Sequence, residues 1–197
     1  MAVKIKPLYW VLGVIAVLVL WFGGTYNSLV GLQTKTDSAL AQIEVQYQRR
    51  ADLVPQLVAT VQGAANFEKG TLTAVTEART QWLNVNENPG STLEQKISAS
   101  NNFDSALSRL LVTVEAYPNL TATENFRTLQ DQLEGTENRV AVARKDFNDV
   151  VTSYNTKIRR FPSNLVAGMF GFEKYPFFEA AEGSDKAPEV KFDDLAK

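Results

Sequence analysis

The feature that most constrains this chain is a run from Pro7 to Tyr26 that contains no charged side chain. As an α-helix this run is about 30 Å long, which matches the hydrocarbon thickness of a bilayer. Because no face of the run is polar, a membrane span is favoured over a helix of a soluble core. Aromatic residues stand near both ends of the run, as is typical of membrane interfaces: Tyr9, Trp10, Trp21, Phe22 and Tyr26.

A cleaved signal peptide is the alternative interpretation of a basic and then apolar N-terminus. The sequence Gly23-Gly24-Thr25-Tyr26 that follows does not resemble a signal-peptidase site, so we expect an uncleaved anchor. Residues 7–26 are therefore predicted to bind the lipid bilayer. Because Lys4 and Lys6 precede the run, the positive-inside rule predicts a cytoplasmic N-terminus, with the remaining chain on the other side.

Composition excludes several classes of function. The chain has 197 residues and neither His nor Cys, which rules out zinc fingers, Cys/His metal sites, a Cys nucleophile and a Ser-His-Asp triad. The 20 basic and 22 acidic residues give a net charge of −2, without a basic stretch typical of nucleic-acid binding. We therefore expect no catalytic residue, no metal, no cofactor, no small-molecule substrate and no nucleic-acid partner.

Beyond the apolar run, apolar residues recur in steps of three and four, which predicts α-helices. The capping boxes Ser91-x-x-Glu94 and Thr121-x-x-Glu124 indicate two helix starts. The fold class predicted is all-α: an N-terminal transmembrane helix and an antiparallel four-helix bundle, with helices over about 27–51, 53–86, 92–117 and 122–160. The last helix carries a seam of more than four heptads: Phe126, Leu129, Leu133, Thr136, Val140, Ala143, Phe147, Val150, Tyr154 and Ile158.

Pro55 makes the boundary between the first two bundle helices ambiguous. A proline removes a hydrogen bond from a helix interior and disfavours helical geometry in the preceding residue. We expect a turn near Ala51–Val54, with Asp52 as N-cap; the alternative is a kink at Pro55 and a turn near 63–66. The domains expected are a cytoplasmic stub and anchor (1–26), the bundle (27–160), and an aromatic segment with a flexible tail (161–197).

Two groups of charged side chains could form a site. Arg49, Arg50 and Asp52 could hold an anion between two guanidinium groups, but an ion-pair cluster at a helix end is the favoured interpretation. A set of carboxylates on the predicted helices could serve as acids or bases, although solvated helix faces explain them better: Glu68, Glu77, Glu94, Glu115, Glu124, Asp131 and Glu137.

The segment 161–178 is dense in aromatic residues and is flanked by basic ones. Packing onto the bundle is the favoured interpretation, and contact with a membrane surface or a partner is the alternative. The last bundle helix is long enough to return to the bilayer, so we expect this segment and Pro89 at the membrane end and Pro118 at the far end. The candidate interaction residues are Arg159, Arg160, Phe161, Phe170, Phe172, Phe177 and Phe178.

Four blocks, with Pro188-x-Val190-x-Phe192 after them, are spread over residues 26–192, nearly the whole chain. They are Tyr26-Asn27-x-Leu29-Val30-x-Leu32, Arg49-Arg50-x-Asp52-Leu53-Val54-Pro55-x-Leu57-Val58-x-Thr60-Val61-x-Gly63, Glu68-Lys69-x-Thr71-Leu72-x-x-Val75-Thr76-Glu77-Ala78-Arg79 and Tyr154-Asn155-x-x-Ile158-Arg159-x-Phe161-Pro162-Ser163-Asn164-Leu165-Val166-Ala167-Gly168. Together these blocks resemble the LemA family of bacterial membrane-anchored helical proteins. The resemblance implies a four-helix bundle behind one membrane span, and it carries over no catalytic residue.

The sequence therefore predicts a non-enzymatic scaffold or adaptor, tethered to the membrane of the bacterial cell envelope. Its partner would be another envelope protein or a second copy of the chain. The localisation expected is the inner membrane in single-pass topology, with the helical domain on the outer or periplasmic face. The alternative function is a lipid- or membrane-surface-interacting module that acts through residues 161–178.

Overall fold

A computed structural model describes residues 7–63 and 67–179. Lys4, Lys6, the expected flexible tail and the block that begins at Pro188 lie outside these residues. The described chain is all-helical and contains no strand. Its elements are α1 (Pro7–Gln62), α2 (Lys69–Glu87), α3 (Leu93–Glu115), α4 (Pro118–Thr121), α5 (Glu124–Arg159) and α6 (Ser163–Phe170).

Helix α1 runs without interruption for 56 residues, from the apolar run through Pro55 to Gln62. Its side chains from Leu8 to Trp21 are exposed on all sides, and burial begins with Thr25 and Leu29. Within the described residues, α1 is the one helix that is long and apolar enough to cross a membrane. The rest of the described chain, residues 27–63 and 67–179, is called the helical body. A single rigid element thus joins the apolar run to the helical body.

The predicted turn at Ala51–Val54 is wrong, and so is the N-cap at Asp52. Helix α1 continues to Gln62 and a turn follows at Gly63, as the alternative placed it. Pro55 has no N–H and cannot donate to the Ala51 carbonyl, four residues earlier. Arg79 of α2 supplies the missing donor, with its Nε 2.7 Å from the Ala51 oxygen. A long-range contact therefore makes an interior proline tolerable.

The helical body is built on α1 and α5, which pack along each other. Leu29 shares a buried cluster with Ile158, and Arg50 pairs with Glu137. We call the end of the body that adjoins the apolar run the proximal end, and the opposite end the distal end.

Different elements cover the two ends of the α1–α5 pair. Helices α2 and α3 cover the distal part, where the Trp82 ring stacks on Tyr47 with 5.8 Å between centroids. Helix α6 and the extended residues 171–179 cover the proximal part. Lys96, near the start of α3, bonds Glu44 at 2.7 Å. Leu93 and Glu94, at the start of α3, line one groove with Tyr26 and Phe170, so the turn at Pro89 faces the proximal end.

The predicted seam of α5 is buried in the structure. The exceptions are Ala143 and Val150, which are half-buried, while Val151 and Asn155 are buried in addition. The helix starts lie one or two residues later than expected. Thr123 caps α5 by accepting from the Phe126 N–H, and Thr92 forms a capping box with Gln95 on α3. Neighbouring Ser and Thr residues offer equivalent caps, so the sequence places such starts only approximately.

Candidate functional site

The three residues of the predicted charged cluster, Arg49, Arg50 and Asp52, do not interact with one another as a single group in the structure. Arg50 points into the body, where 1% of it is exposed, and it forms ion pairs with Asp104 of α3 and Glu137 of α5. Arg49 is exposed, and Asp52 accepts a hydrogen bond from Gln48 at 2.9 Å. The partners of Arg50 are therefore two distant carboxylates rather than its neighbour Asp52.

A second arginine completes this buried polar network. The Arg144 guanidinium lies 2.8 Å from Asp104 and also donates to the Tyr47 hydroxyl, which in turn donates to Asp104 at 2.6 Å. Burial, together with the negative charge of Asp104, raises the pKa of Tyr47. Burial also raises the pKa of Asp104, and both guanidinium groups oppose that shift.

The network joins three helices, because Tyr47 and Arg50 belong to α1, Asp104 to α3, and Glu137 and Arg144 to α5. Each guanidinium meets a carboxylate of the same chain, while the Nε of Arg50 and of Arg144 has no hydrogen-bond partner. Breaking such a pair leaves a buried charge without compensation, which is strongly destabilising. We therefore interpret the network as a set of contacts that stabilises the register of the three helices, and not as a binding site.

The other carboxylates singled out from the sequence are exposed on the helix surfaces, as expected of solvated faces. Within residues 7–63 and 67–179, no group of three or more acidic side chains is arranged to hold a metal ion.

The aromatic segment packs along the proximal half of the α1–α5 pair. The Phe178 ring meets Phe147 edge-on at 5.4 Å, and the Tyr175 ring meets Tyr154 in the same way at 5.1 Å. Two asparagines of α5 hold the extended backbone. The Asn148 side-chain amide donates to the Phe178 carbonyl and accepts from the Phe178 N–H. The Asn155 side-chain amide forms the same two hydrogen bonds with the backbone of Tyr175. Phe177, by contrast, stays exposed.

The Tyr175 hydroxyl reaches across to α1 and donates to Asp37 at 2.8 Å. Burial and this hydrogen bond raise the pKa of Tyr175 to about 12. The extended segment thus ties α5 to α1 along the proximal half.

Helix α6 brings the remaining predicted aromatics to the end of the apolar run. The Phe170 ring lies 5.9 Å from Phe22 and 4.7 Å from Tyr26, and the Phe172 ring lies 5.9 Å from Tyr26. These contacts place the segment directly beside the region where the apolar run of α1 ends.

The outer face of α6 remains uncovered. Val166 and Ala167 are buried against the body, whereas Phe161, Leu165 and Met169 are 75%, 56% and 72% exposed. Leu165 and Met169 lie one turn apart on α6 and form an exposed apolar stripe, and Phe161 precedes the helix by two residues. Arg159 and Arg160 are exposed immediately before Phe161. Sequence reasoning missed Leu165 and Met169, although their spacing of four residues could have indicated the stripe.

The geometry defines a class: an all-helical, membrane-associated protein with one candidate membrane-spanning helix that is continuous with its helical body. The LemA family profile matches residues 39–192. The chain belongs to the LemA family, as the resemblance of its sequence blocks predicted.

Relatives with names are distant in sequence. Magnetosome proteins MamQ 1 and MamQ 2 of Paramagnetospirillum magneticum are each 26% identical in an alignment 181 residues long, which covers 81% of this chain and 66% of theirs. Protein LemA of Metamycoplasma hominis is 26% identical over 159 residues, covering 81% of this chain and 71% of that protein. The chain thus spans just under two thirds of the MamQ relatives. None of these names denotes an enzyme.

Proposed function

We propose that the protein is a non-enzymatic scaffold or adaptor of the bacterial inner membrane. Its partner is another envelope protein or a second copy of the chain. Residues 7–26 span the bilayer, the N-terminus is cytoplasmic, and the helical body stands on the outer or periplasmic face. The observation that carries this proposal is the continuity of α1, because a rigid helix without a linker holds the body at a fixed distance from the membrane.

The proposal includes the architecture of the body. Helices α1, α2, α3 and α5 form an antiparallel four-helix bundle, in which α2 and α3 cover the distal half of the α1–α5 pair. The pairing of Leu29 with Ile158 and of Arg50 with Glu137 supports opposite directions for α1 and α5. The relatives support a general role, since the same region recurs in proteins named for magnetosomes and in a mycoplasma protein named LemA.

Exposed valines on the body give the scaffold proposal a direct test. Val45, Val112 and Val142 are large apolar side chains that remain exposed on three different helices. A photo-cross-linking amino acid at each position, in the full chain in native membranes, should give a discrete protein adduct at one or more of them. Buried Val61 is the matched control and should give none. Two differently tagged copies distinguish a second copy of the chain from another envelope protein. Absence of any protein adduct at all three exposed positions would contradict the scaffold role.

A second function is favoured by the exposed stripe on α6. A membrane-surface module would lay Phe161, Leu165 and Met169 on the bilayer, since these side chains are apolar and adjoin the end of the apolar run. The same cross-linker at Met169 should then capture lipid, while buried Val166 on the other face of α6 should not. A protein adduct at Met169 in place of lipid would assign the stripe to a partner.

A further inference from the structure

We propose that a groove at the proximal end of the α1–α5 pair binds the phosphate of an anionic phospholipid headgroup. The groove has a volume of about 420 Å³ and is lined by Ser28, Gly31, Leu32, Lys35, Ser153, Thr156, Lys157 and Arg160. It carries three cationic side chains and no carboxylate. The inference rests on the membrane location given under Proposed function.

Helix geometry explains why these residues face one another. Ser28 and Lys35 are separated by seven positions on α1, which places them on one face, and Gly31 lies between them. Ser153 and Lys157 lie one turn apart at the end of α5, and Arg160 is the residue that directly follows this helix. A Cβ at Gly31 would meet no atom within 4 Å, so the groove is open at that point. The two stripes form the two walls of one groove.

The cations of this groove have no acidic partner within the described chain. No ion pair involves Lys35, Lys157 or Arg160. The nearby carboxylates are engaged elsewhere: Asp37 accepts from Tyr175 and Asp149 pairs with Lys145. Three cations that repel one another in one groove favour an external anion.

Helix electrostatics explains only part of this cluster. Basic residues in the last turn of a helix interact favourably with its dipole, which accounts for Lys157 and Arg160. Lys35 lies in the middle of α1, far from either helix end, so the dipole does not account for it. The hydroxyl of Thr156 adds a donor suited to a phosphate oxygen.

The position of the groove selects a lipid over other sources of phosphate. Ser28 follows Tyr26 by two residues, about 3 Å along the helix, which is within headgroup depth if the apolar run spans the hydrocarbon core. The Lys35 backbone lies about 14 Å beyond Tyr26, outside a headgroup region that is about 5–8 Å deep, so only its long side chain can reach back toward the phosphate level. The exposed Phe161 follows Arg160 directly, so an apolar surface for acyl chains adjoins the basic groove.

The test uses the full chain in detergent, with native mass spectrometry to count bound lipids. Phosphatidylglycerol and phosphatidylcholine are supplied as the two probes. The wild-type chain should retain phosphatidylglycerol about tenfold or more in preference to phosphatidylcholine. The variant Lys157→Gln/Arg160→Gln should lose most of this preference, and Lys35→Gln should weaken it.

Arg159→Gln is the matched control, because Arg159 is exposed next to Arg160 but does not line the groove. Its preference should equal that of the wild type. An unchanged preference in the double variant, or an equal loss in Arg159→Gln, would overturn the proposal. Displacement of the lipid by an equal concentration of inorganic phosphate would assign the groove to a free anion. Lipid cross-linking at Met169 tests separately whether α6 lies on the membrane. The lipid-binding groove and the membrane-surface function can therefore be contradicted independently.

Discussion

The distal and proximal halves of the α1–α5 pair are built on the same two helices but differ in whether their basic side chains have acidic partners. In the distal half, Arg50 and Arg144 are paired with carboxylates under the cover of α2 and α3. In the proximal half, Lys35, Lys157 and Arg160 face an open groove without a carboxylate. We infer from this contrast that the distal charges are mostly paired within the chain, whereas the proximal cations are left for an external anion.

The largest effect is expected from breaking the distal network at Arg50. The substitution Arg50→Met should lower the free energy of unfolding by about 3 kcal/mol, because the half-buried Asp104 then keeps only one cationic partner. Arg49→Met is the matched control and should change stability by less than about 0.5 kcal/mol, since Arg49 is exposed. Chemical denaturation of both variants checks this. Similar losses of unfolding free energy at both positions would contradict the structural role assigned to Arg50.

A smaller effect should follow from removing the side chain that supports Pro55. Arg79→Leu leaves the Ala51 carbonyl without its donor, which should cost about 1–3 kcal/mol. In a Pro55→Ala background the residue at position 55 has an N–H that can donate to the same carbonyl. The loss caused by Arg79→Leu should therefore be smaller in that background, by about 0.5 kcal/mol or more. Equal losses in the two backgrounds would show that Arg79 acts on something other than the proline defect.

The smallest effect concerns the attachment of the extended segment through Tyr175. Its pKa is raised from 10.0 to about 12, so the folded state holds the proton more tightly than the unfolded state. The corresponding stability is fully present below pH 10 and is lost as the pH rises from 10 toward about 12. A dye on a single cysteine introduced at Phe177, in a chain that has none, should report loosening in that interval. Tyr175→Phe should abolish this transition, and its persistence in that variant would assign it to another group.

Much of the fold could be predicted from local patterns. The seam of α5 and the apolar run of α1 are periodic or continuous features, and burial follows from them directly. The short sequence blocks likewise predicted membership of the LemA family, and the family match confirms this prediction.

The remaining features depend on contacts between distant parts of the chain. Arg50 meets carboxylates 54 and 87 residues away, and Tyr175 meets Asp37 across 138 residues. The helix through Pro55 also needs a donor from another helix, so local propensity placed the turn too early. The groove was missed because Lys35 and Arg160 become neighbours only when α5 folds back along α1.

We infer that the proximal end of the helical body lies against the bilayer and that the distal end lies away from it. Spin labels at Phe170 and at Asn119, each in the full chain reconstituted in vesicles, test this most directly. Asn119 lies in α4 beside the last turn of α1, and Phe170 lies beside Phe22. A relaxation agent confined to lipid should broaden the signal of the Phe170 label strongly and leave the Asn119 label unaffected. Equal broadening at the two positions, or broadening at Asn119 alone, would contradict the account.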